Sequence, residues 1–212
     1  MSPSRSSSGA ADGPAASAQR LLAALRDRPD ASLVGVAGIP GSGKSTLCAA
    51  VRHLMPDVVV VPMDGYHIPR RLLDEDGLRR RGAPHTFDAA AFQADVESLR
   101  LTRAGVFPVF DHAEGDPRPA VIRVTPAAPL VLVEGLYVLM RDWRLETLFD
   151  LTVFLDCDPD VATERVAARH LAAGLAATPD LARARALAND HVNALSILAD
   201  GCRERADLVL PS

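Results

Sequence analysis

The sequence has few cysteines, no long apolar run and no excess of positive charge. Its three cysteines, Cys48, Cys157 and Cys202, show no CxxC or Cys/His spacing, which argues against a zinc site or disulfide framework and favours a reducing compartment. The longest apolar stretch, residues 130–140, is interrupted by a glutamate and a glycine and is too short to span a bilayer. The formal net charge of -4 at pH 7 provides no positive field for non-specific nucleic-acid binding. We therefore expect a soluble, cytoplasmic protein with neither a membrane nor a nucleic acid as partner.

The amount of apolar sequence suits one compact domain. Of the 212 residues, 48% are hydrophobic, which is enough to cover both faces of a parallel sheet but leaves little for a second domain. Residues 1–17 are rich in serine, glycine, proline and alanine and lack the apolar centre of a signal peptide. We predict that residues 1–17 form a disordered tail and that residues 18–212 form the domain.

Short apolar runs alternate with helix-length segments along the chain. Runs of four or five apolar residues without polar alternation are typical of strands buried on both faces, and their wide separation indicates parallel crossovers. The predicted strands are residues 33–37, 58–62, 130–133, 151–155 and 207–210. The pattern predicts an α/β fold with a doubly wound, mainly parallel five-stranded sheet and helices on both faces.

Apolar spacing and end signals predict the helices between these strands. Aspartate or threonine before the helix, with proline following in two cases, supplies the caps. The predicted helices cover residues 18–28 and 46–55, the stretch from Asp88 towards Gly105, the stretch from Asp158 through His170, and the stretch from Thr178 to Asp200. In the last helix, Leu187, Leu195 and Leu198 are predicted to form the buried stripe.

A glycine-rich segment after the first predicted strand matches the pattern GxxxxGK[ST] and leads into a predicted helix. Its glycines let successive backbone N–H groups face inward and form an anion nest at a helix N-terminus. In this pattern the lysine reaches the β- and γ-phosphates of a nucleotide, and the serine hydroxyl ligates Mg²⁺. The segment therefore predicts a P-loop that binds ATP and Mg²⁺. The predicted nucleotide-binding residues are Gly38, Ile39, Pro40, Gly41, Ser42, Gly43, Lys44, Ser45 and Thr46.

Lysine is the scarcest charged residue, because Lys44 is the only one in the chain. The [NT]KxD signal of guanine-specific proteins is consequently absent, which argues against a GTPase.

Two carboxylates follow predicted strands at the sheet edge where ligands gather in open parallel sheets. Glu134 is predicted to hold Mg²⁺, directly or through water. Asp64 is predicted to act as general base or to orient an incoming hydroxyl group.

Two arginines four residues apart share one face of the helix that follows Asp158. Arg165 and Arg169 are predicted to close over the site from a lid, residues 161–180, and to contact the transferring phosphoryl group. A solvated helix face is the alternative for both.

The acceptor side of the site is less sharply marked. Five arginines at positions 70, 71, 79, 80 and 81 either receive an anionic acceptor or form a solvated loop face with the acids among them. Asp111 and His112 end an apolar stretch and are candidates for contact with a substrate.

These segments resemble the phosphoribulokinase, uridine kinase and pantothenate kinase superfamily from about residue 33 to residue 210. The resemblance rests on the P-loop, Met63-Asp64-Gly65-Tyr66-His67, Arg81-Gly82-Ala83-Pro84-His85-Thr86-Phe87-Asp88, Pro108-Val109-Phe110-Asp111-His112, Val133-Glu134-Gly135, and the stretch from Arg165 to His170. It implies the P-loop NTPase fold with a helical lid, Asp64 as catalytic base, a metal role for Glu134, and phosphate contacts for Arg165 and Arg169. The chain is more similar to a small nucleoside/nucleotide kinase-like or fructokinase-like branch than to the larger members.

The shared segments add acceptor-binding candidates. These are Tyr66, His67, Arg81 and His85, beside Asp64, Asp111 and His112. The resulting hypothesis is a kinase that moves the γ-phosphoryl group of ATP to a hydroxyl group of a pantothenate-, nucleoside- or sugar-like metabolite. The alternative is a nucleotide-dependent regulatory or binding module with slow ATP hydrolysis and no acceptor; Asp64 and residues 79–88 argue against it, because a switch needs no base opposite the γ-phosphate. The oligomeric state is open, with a homodimer as one option.

Overall fold

The computed structural model describes residues 13–111 and 113–212. The strands in these ranges are β1 (Leu33–Ala37), β2 (Val59–Pro62), β3 (Gly105–Asp111), β4 (Asp116–Val124), β5 (Val131–Gly135), β6 (Leu151–Asp156) and β7 (Leu208–Pro211). The helices are α1 (Pro14–Arg26), α2 (Lys44–Leu54), α3 (Glu75–Arg79), α4 (Ala89–Thr102), α5 (Pro159–Ala172), α6 (Pro179–Ala186), α7 (Val192–Ala199) and α8 (Cys202–Arg205). A π-helical segment, Leu187–His191, joins α6 to α7.

Five strands form one parallel sheet in the order β2-β5-β1-β6-β7. Its register is the basis of the site, because Glu134 on β5, next to the central strand, lies level with Pro62 of β2 and Val36 of β1. The segments that follow β1 and β2 therefore leave the sheet at the same edge as Glu134. The predicted five-stranded parallel sheet with helices on both faces is confirmed.

The sheet divides the apolar core into two layers. Side chains alternate along β1, so Leu33 and Ala37 enter one layer while Val34 and Val36 enter the other. Helices α1 and α2 cover the face that contains Val34, and α4 and α7 cover the opposite face. Among the described residues, no helix is long and apolar enough to cross a membrane.

A second sheet, which the sequence analysis missed, consists of the antiparallel hairpin β3–β4. The hairpin packs on the 3₁₀ turn Met63–Tyr66 that follows β2. A Cβ atom on Gly65 would lie 2.4 Å from the carbonyl oxygen of Pro108, so only glycine permits this approach. The hairpin thus lies directly beside the turn that carries Asp64.

Helix α1 differs from its prediction at both ends. It begins at Pro14, inside the stretch predicted to be a tail, and ends at Arg26. Its early start follows from a tertiary contact, because the buried Ser17 hydroxyl donates a hydrogen bond to the carbonyl oxygen of Pro211 at 2.8 Å. The rest of the predicted tail, residues 1–12, lies outside the described residues.

The predicted apolar stripe of the last long helix is wrong at two of its three leucines, while Leu198 is partly buried and packs on the core. Leu195 is 50% exposed and Leu187 is 36% exposed. The residues that are buried instead are mostly small: Ala182, Ala186, Asn193, Ala194 and Ile197. Alanines let α6 approach α5 closely, and Val166 and Ala167 of α5 complete a separate small core with them. Close packing on small side chains, rather than the hydrophobicity of leucine, decides which face is buried.

Candidate active site

The P-loop is shaped by glycines between β1 and α2. Gly41 and Gly43 adopt φ angles of 80° and 91°, in the left-handed region that favours glycine. A Cβ atom on Gly41 would lie 2.2 Å from the carbonyl oxygen of Ala162 in α5. Helix α5, which belongs to the predicted lid, therefore packs directly on the loop.

The Lys44 ammonium is buried at the start of α2 and donates hydrogen bonds to the carbonyl oxygens of Gly38 and Ile39, at 2.9 and 3.0 Å. Burial lowers the pKa of Lys44, while the nearby negative charges of Glu134 and Asp64 act in the opposite direction. The cation is therefore held inside the loop with two carboxylates close to it.

Glu134 lies within strand β5 and is buried, with 8% of its surface exposed. Its Oε1 atom accepts a hydrogen bond of 2.9 Å from the Ser45 hydroxyl group in the first turn of α2. Burial raises the pKa of Glu134, and the Lys44 charge partly offsets this. The structure thus brings together the two side chains that the sequence predicted for a metal.

The residues at this site fit an Mg²⁺ ion that is held by only a few protein oxygens together with the phosphates of a nucleotide. Among the described residues, no cluster of three or more histidine, cysteine, aspartate or glutamate side chains could cage a metal ion. Mg²⁺ commonly takes only one or two protein oxygens and completes its shell with waters and substrate phosphates. Ser45 and Glu134 supply two such oxygens beside the P-loop.

Asp64 lies in the 3₁₀ turn after β2 and is partly buried. Its charge opposes the burial-induced lowering of the pKa of Lys44 and adds to the raising of the pKa of Glu134. Its backbone carbonyl oxygen lies 2.9 Å from Nδ1 of His67. The two carboxylates predicted from the strand ends therefore converge on the P-loop lysine.

A cavity of about 430 Å³ adjoins the P-loop. It is lined by Gly13, Pro14, Ser17, Gly41, Ser42, Gly43, Thr46, Leu47, Leu155, Arg165, Arg169, Pro211 and Ser212. The sequence analysis missed the contributions of α1 and of the chain after β7, because they come from opposite ends of the sequence and no local pattern marks them. The size and place of the cavity suit the remainder of a nucleotide whose phosphates lie on the loop.

Both predicted lid arginines line this cavity. Arg165 donates a hydrogen bond to the Ser212 hydroxyl group and approaches the carbonyl oxygen of Gly41 at 3.5 Å. The positive charge of Arg169 contributes to lowering the pKa of Lys44, which places it near the phosphate-binding end. The shared helix face predicted from their four-residue spacing is therefore turned towards the nucleotide cavity.

Two acceptor-side candidates, His67 and Arg81, both lie against the aromatic ring of Phe110. The His67 ring packs on Phe87 and Phe110, with centroids 4.0 and 4.8 Å away. The Arg81 guanidinium carbon lies 5.6 Å from the Phe110 centroid, and Nη2 of Arg81 donates a 2.8 Å hydrogen bond to Asp116. Burial lowers the pKa of His67, which favours its neutral form. Asp116 was not among the predicted site residues.

The other acceptor-side candidates have different partners. Tyr66 is buried in the core and donates its hydroxyl proton to Asp95 at 2.6 Å, and its contact with a substrate stays a prediction. His85 is exposed, with Nε2 3.8 Å from a carboxylate oxygen of Asp76, and does not join the site.

The Asp111 carboxylate is hydrogen-bonded within the hairpin β3–β4. Its carboxylate accepts backbone N–H bonds from Ala113 and Glu114 and a 3.2 Å hydrogen bond from Arg118. The Glu114 and Ala113 N–H groups lower the pKa of Asp111, and its contact with a substrate stays a prediction. His112 lies outside the described residues.

Comparison with known proteins shows the family of the chain. Residues 33–173 match the family model described as "Phosphoribulokinase / Uridine kinase family". A fission-yeast protein, Schizosaccharomyces pombe "Putative uridine kinase C227.14", is 39% identical over 177 residues, which cover 76% of this chain and 75% of that protein. The Escherichia coli protein YggC is 35% identical and is matched over 73% of this chain and 69% of its own length.

Solved structures give the same result. The crystal structure of a "putative fructose transport system kinase" from Silicibacter sp. TM1040 superimposes with a TM-score of 0.79 and 37% identity, over 94% of this chain and all of that one. YFH7 from Saccharomyces cerevisiae shares the fold, with a TM-score of 0.73 at 22% identity over 92% of this chain and 97% of its own. The chain therefore belongs to the phosphoribulokinase/uridine kinase family and is a P-loop kinase.

Proposed function

We propose that this chain transfers the γ-phosphoryl group of ATP to a hydroxyl group of a small metabolite, with Mg²⁺ held by Ser45 and Glu134. One observation carries the proposal: the carboxylates of Asp64 and Glu134 both act on the buried Lys44 at the mouth of the P-loop. Glu134 accepts a hydrogen bond from Ser45, the other predicted Mg²⁺ ligand, whereas Asp64 is not needed to hold the nucleotide or its metal. A second carboxylate at this point suits a reaction with an incoming alcohol.

The P-loop and Lys44 bind the nucleotide phosphates. Lys44 exchanges its hydrogen bonds to the carbonyl oxygens of Gly38 and Ile39 for bonds to phosphate oxygens. The backbone N–H groups at the start of α2 add the positive end of a helix to this site. Mg²⁺ bound there would neutralise charge that develops on the phosphate oxygens.

Asp64 prepares the acceptor. A carboxylate at this place orients the hydroxyl group towards the γ-phosphorus and accepts its proton as the new oxygen–phosphorus bond forms. Holding the reactants in line accounts for a large part of the expected rate gain, about 7 to 11 kcal/mol of barrier.

Arg165 and Arg169 stabilise the transferring group and exclude water. Both project from α5 into the nucleotide cavity, and α5 packs on the P-loop at Gly41. Arginine placed in this way offsets the charge of the phosphoryl oxygens in the transition state. A pantothenate-, nucleoside- or sugar-like alcohol is the proposed acceptor class. The names of two similar proteins, "Putative uridine kinase C227.14" and "putative fructose transport system kinase", support the nucleoside and sugar options.

Replacing Asp64 with asparagine tests the proposal. We expect Asp64→Asn to retain nucleotide binding and to lower kcat by about 10² to 10⁴, the usual contribution of a general base. The measurement is ADP release stimulated by pantothenate, by nucleosides and by sugars. Asp57→Asn, an exposed aspartate before β2, is the matched control and should behave as the parent protein.

Two results would count against the proposal in different ways. Turnover at the parent rate in Asp64→Asn would remove this carboxylate from the chemistry. ATP hydrolysis that no acceptor stimulates would favour a regulatory nucleotide-binding module instead.

A further inference from the structure

The guanidinium group of Arg81 has bonding capacity that the protein does not use. Its Nη2 atom bonds to Asp116 at 2.8 Å, but Nε and Nη1 are buried and have no hydrogen-bond partner in residues 13–111 and 113–212. Leaving buried donors of a charged group unpaired is costly, and native proteins rarely do so without a reason. A ligand that accepts hydrogen bonds would remove this cost.

Arg81 differs in this respect from the arginines around it. Arg79 is exposed and pairs with Asp76. Arg80 donates hydrogen bonds to the carbonyl oxygen of Ala188 at 2.9 Å and to Asn193 at 3.3 Å. The side chains of the remaining two, at positions 70 and 71, belong to exposed residues. The structure therefore selects one arginine from the five that the sequence left open.

The location of Arg81 connects it with the proposed base. The charges of Asp64 and Arg81 both affect the pKa of His67, in opposite directions, so both groups lie around the same imidazole ring. The Asp64 carbonyl oxygen lies 2.9 Å from that ring, and Arg81 lies over the neighbouring Phe110 ring. Asp64 and Arg81 therefore contact the same pair of rings, His67 and Phe110.

The loop that carries Arg81 is held rigidly. The backbone carbonyl oxygen of Arg81 accepts a 2.8 Å hydrogen bond from the side chain of Asn189, in the π-helical segment. The carbonyl oxygen of Gly82 accepts bonds from the Tyr137 hydroxyl group at 2.6 Å and from Asn193 at 3.1 Å. Fixed backbone of this kind keeps the guanidinium in place before a ligand arrives, which is how preorganised sites gain affinity.

The counter-ion of Arg81 is shared with a second arginine. Asp116 offsets one cation, yet the charges of both Arg81 and Arg70 act on it. His67 adds no charge in its neutral form. An uncharged ligand would offer Nε and Nη1 of Arg81 only neutral acceptor atoms, whereas an anion would form charge-assisted hydrogen bonds with them.

We propose that the acceptor is an anionic alcohol, a small molecule whose carboxylate or phosphate group binds Nε and Nη1 of Arg81 while its hydroxyl group faces Asp64. This inference rests on the proposed function and narrows its substrate class. The transfer is unchanged: the hydroxyl oxygen bonds to the γ-phosphorus, the bond from that phosphorus to the ADP oxygen breaks, and the hydroxyl proton passes to Asp64.

Direct binding is tested without knowing the natural acceptor. The protein is saturated with Mg²⁺ and a non-hydrolysable ATP analogue, so that the P-loop is filled, and then titrated with glycerate, glycerol 3-phosphate or glycerol. The readout is the NMR signal of the Arg81 Nε–H group, assigned by its loss in Arg81→Lys. We expect one or both anions to shift this signal and glycerol to leave it unchanged. The preferred anion identifies the carboxylate or the phosphate class, and no shift with either overturns the inference.

Kinetics on matched acceptor pairs supply the second test. Pantothenate is compared with panthenol, and ribose 5-phosphate with ribose, so that each pair differs in its anionic group. In a productive pair, Arg81→Gln should raise KM for the anionic member about tenfold to a hundredfold, the usual effect of losing a charge-assisted hydrogen bond. Arg79→Gln, two residues away and exposed, is the control and should leave KM unchanged.

The two proposals fail in distinguishable ways. Equal use of a neutral member and its anionic partner, with Arg81→Gln affecting neither, overturns the anionic class but keeps the kinase. An anion that shifts the Arg81 signal without any Asp64-dependent transfer keeps the anion site and overturns the proposed function.

Discussion

Substitution of Gly41 by alanine tests whether the close approach of α5 to the P-loop determines nucleotide affinity. Two costs are expected. The φ angle of 80° places alanine in the left-handed region, at about 1 to 2 kcal/mol. The new Cβ atom would also lie 2.2 Å from the Ala162 carbonyl oxygen, where ordinary contacts begin near 3.4 Å. Either the loop or α5 must therefore move by about 1 Å, a displacement that can lower an enzymatic rate about a hundredfold.

Gly174→Ala separates the two costs. Gly174 follows the other end of α5 with a φ angle of 68°, and a Cβ atom there would meet nothing within 4 Å. Gly174→Ala therefore introduces the free-energy cost of backbone strain without a steric clash. We expect its melting temperature to fall by about 2 to 4 °C per kcal/mol for a domain of this size, with ADP affinity unchanged.

The assay is calorimetric titration of ADP together with thermal unfolding of both variants. Gly41→Ala should raise the Kd for ADP at least about tenfold, equivalent to the loss of one well-placed hydrogen bond. If Gly41→Ala binds ADP as tightly as Gly174→Ala, then the contact between α5 and the loop does not control nucleotide binding, and the reasoning is refuted.

Two further predictions concern stability. Tyr66→Phe should lower the free energy of unfolding by about 1 kcal/mol, because it removes the buried hydrogen bond to Asp95. The KM for the acceptor should stay constant, and a raised KM would indicate that Tyr66 contacts the acceptor. Burial alone would raise the pKa of Asp150, but two backbone N–H groups at the start of β1 and the Arg100 guanidinium outweigh it and lower that pKa. The stabilisation is therefore present above the unfolded pKa of about 3.9 and is lost as the pH falls through the lower folded value. Asp150→Asn should lower the free energy of unfolding by about 1 to 2 kcal/mol at pH 7. Urea unfolding at a series of pH values should also show that this free energy falls less steeply towards acid pH in the variant. An unchanged acid dependence would contradict this assignment.

Features with local causes were predictable from the sequence. The P-loop depends on glycine and lysine at fixed spacing, and the helix caps at Asp88, Asp158 and Thr178 depend on one side chain near its own backbone. The buried strands were visible because covering both faces of a sheet removes polar alternation. The convergence of Asp64 and Glu134 followed from one rule, that parallel strands end at a common edge.

Features that depend on distant partners were not predictable. The Arg81–Asp116 pair joins a loop to the hairpin β3–β4, and β4 begins with Asp-Pro-Arg-Pro, a sequence typical of a loop. Tyr66 and His67 are neighbours in sequence, yet the 3₁₀ turn sends the tyrosine to Asp95 in α4 and leaves the histidine beside the site. No single-sequence pattern records such a division.

The scarcity of lysine has a practical consequence. Lys44 carries the sole ε-amine of the sequence, and that amine is buried against two carbonyl groups of its own loop. An acylating reagent that would label many surface positions on an ordinary protein finds one side-chain target here. Apart from labelling of the amino terminus, acylation of the chain would report exposure of the Lys44 amine from the P-loop. Mass spectrometry of the intact chain can therefore follow how often the P-loop opens and how strongly a bound nucleotide protects the lysine.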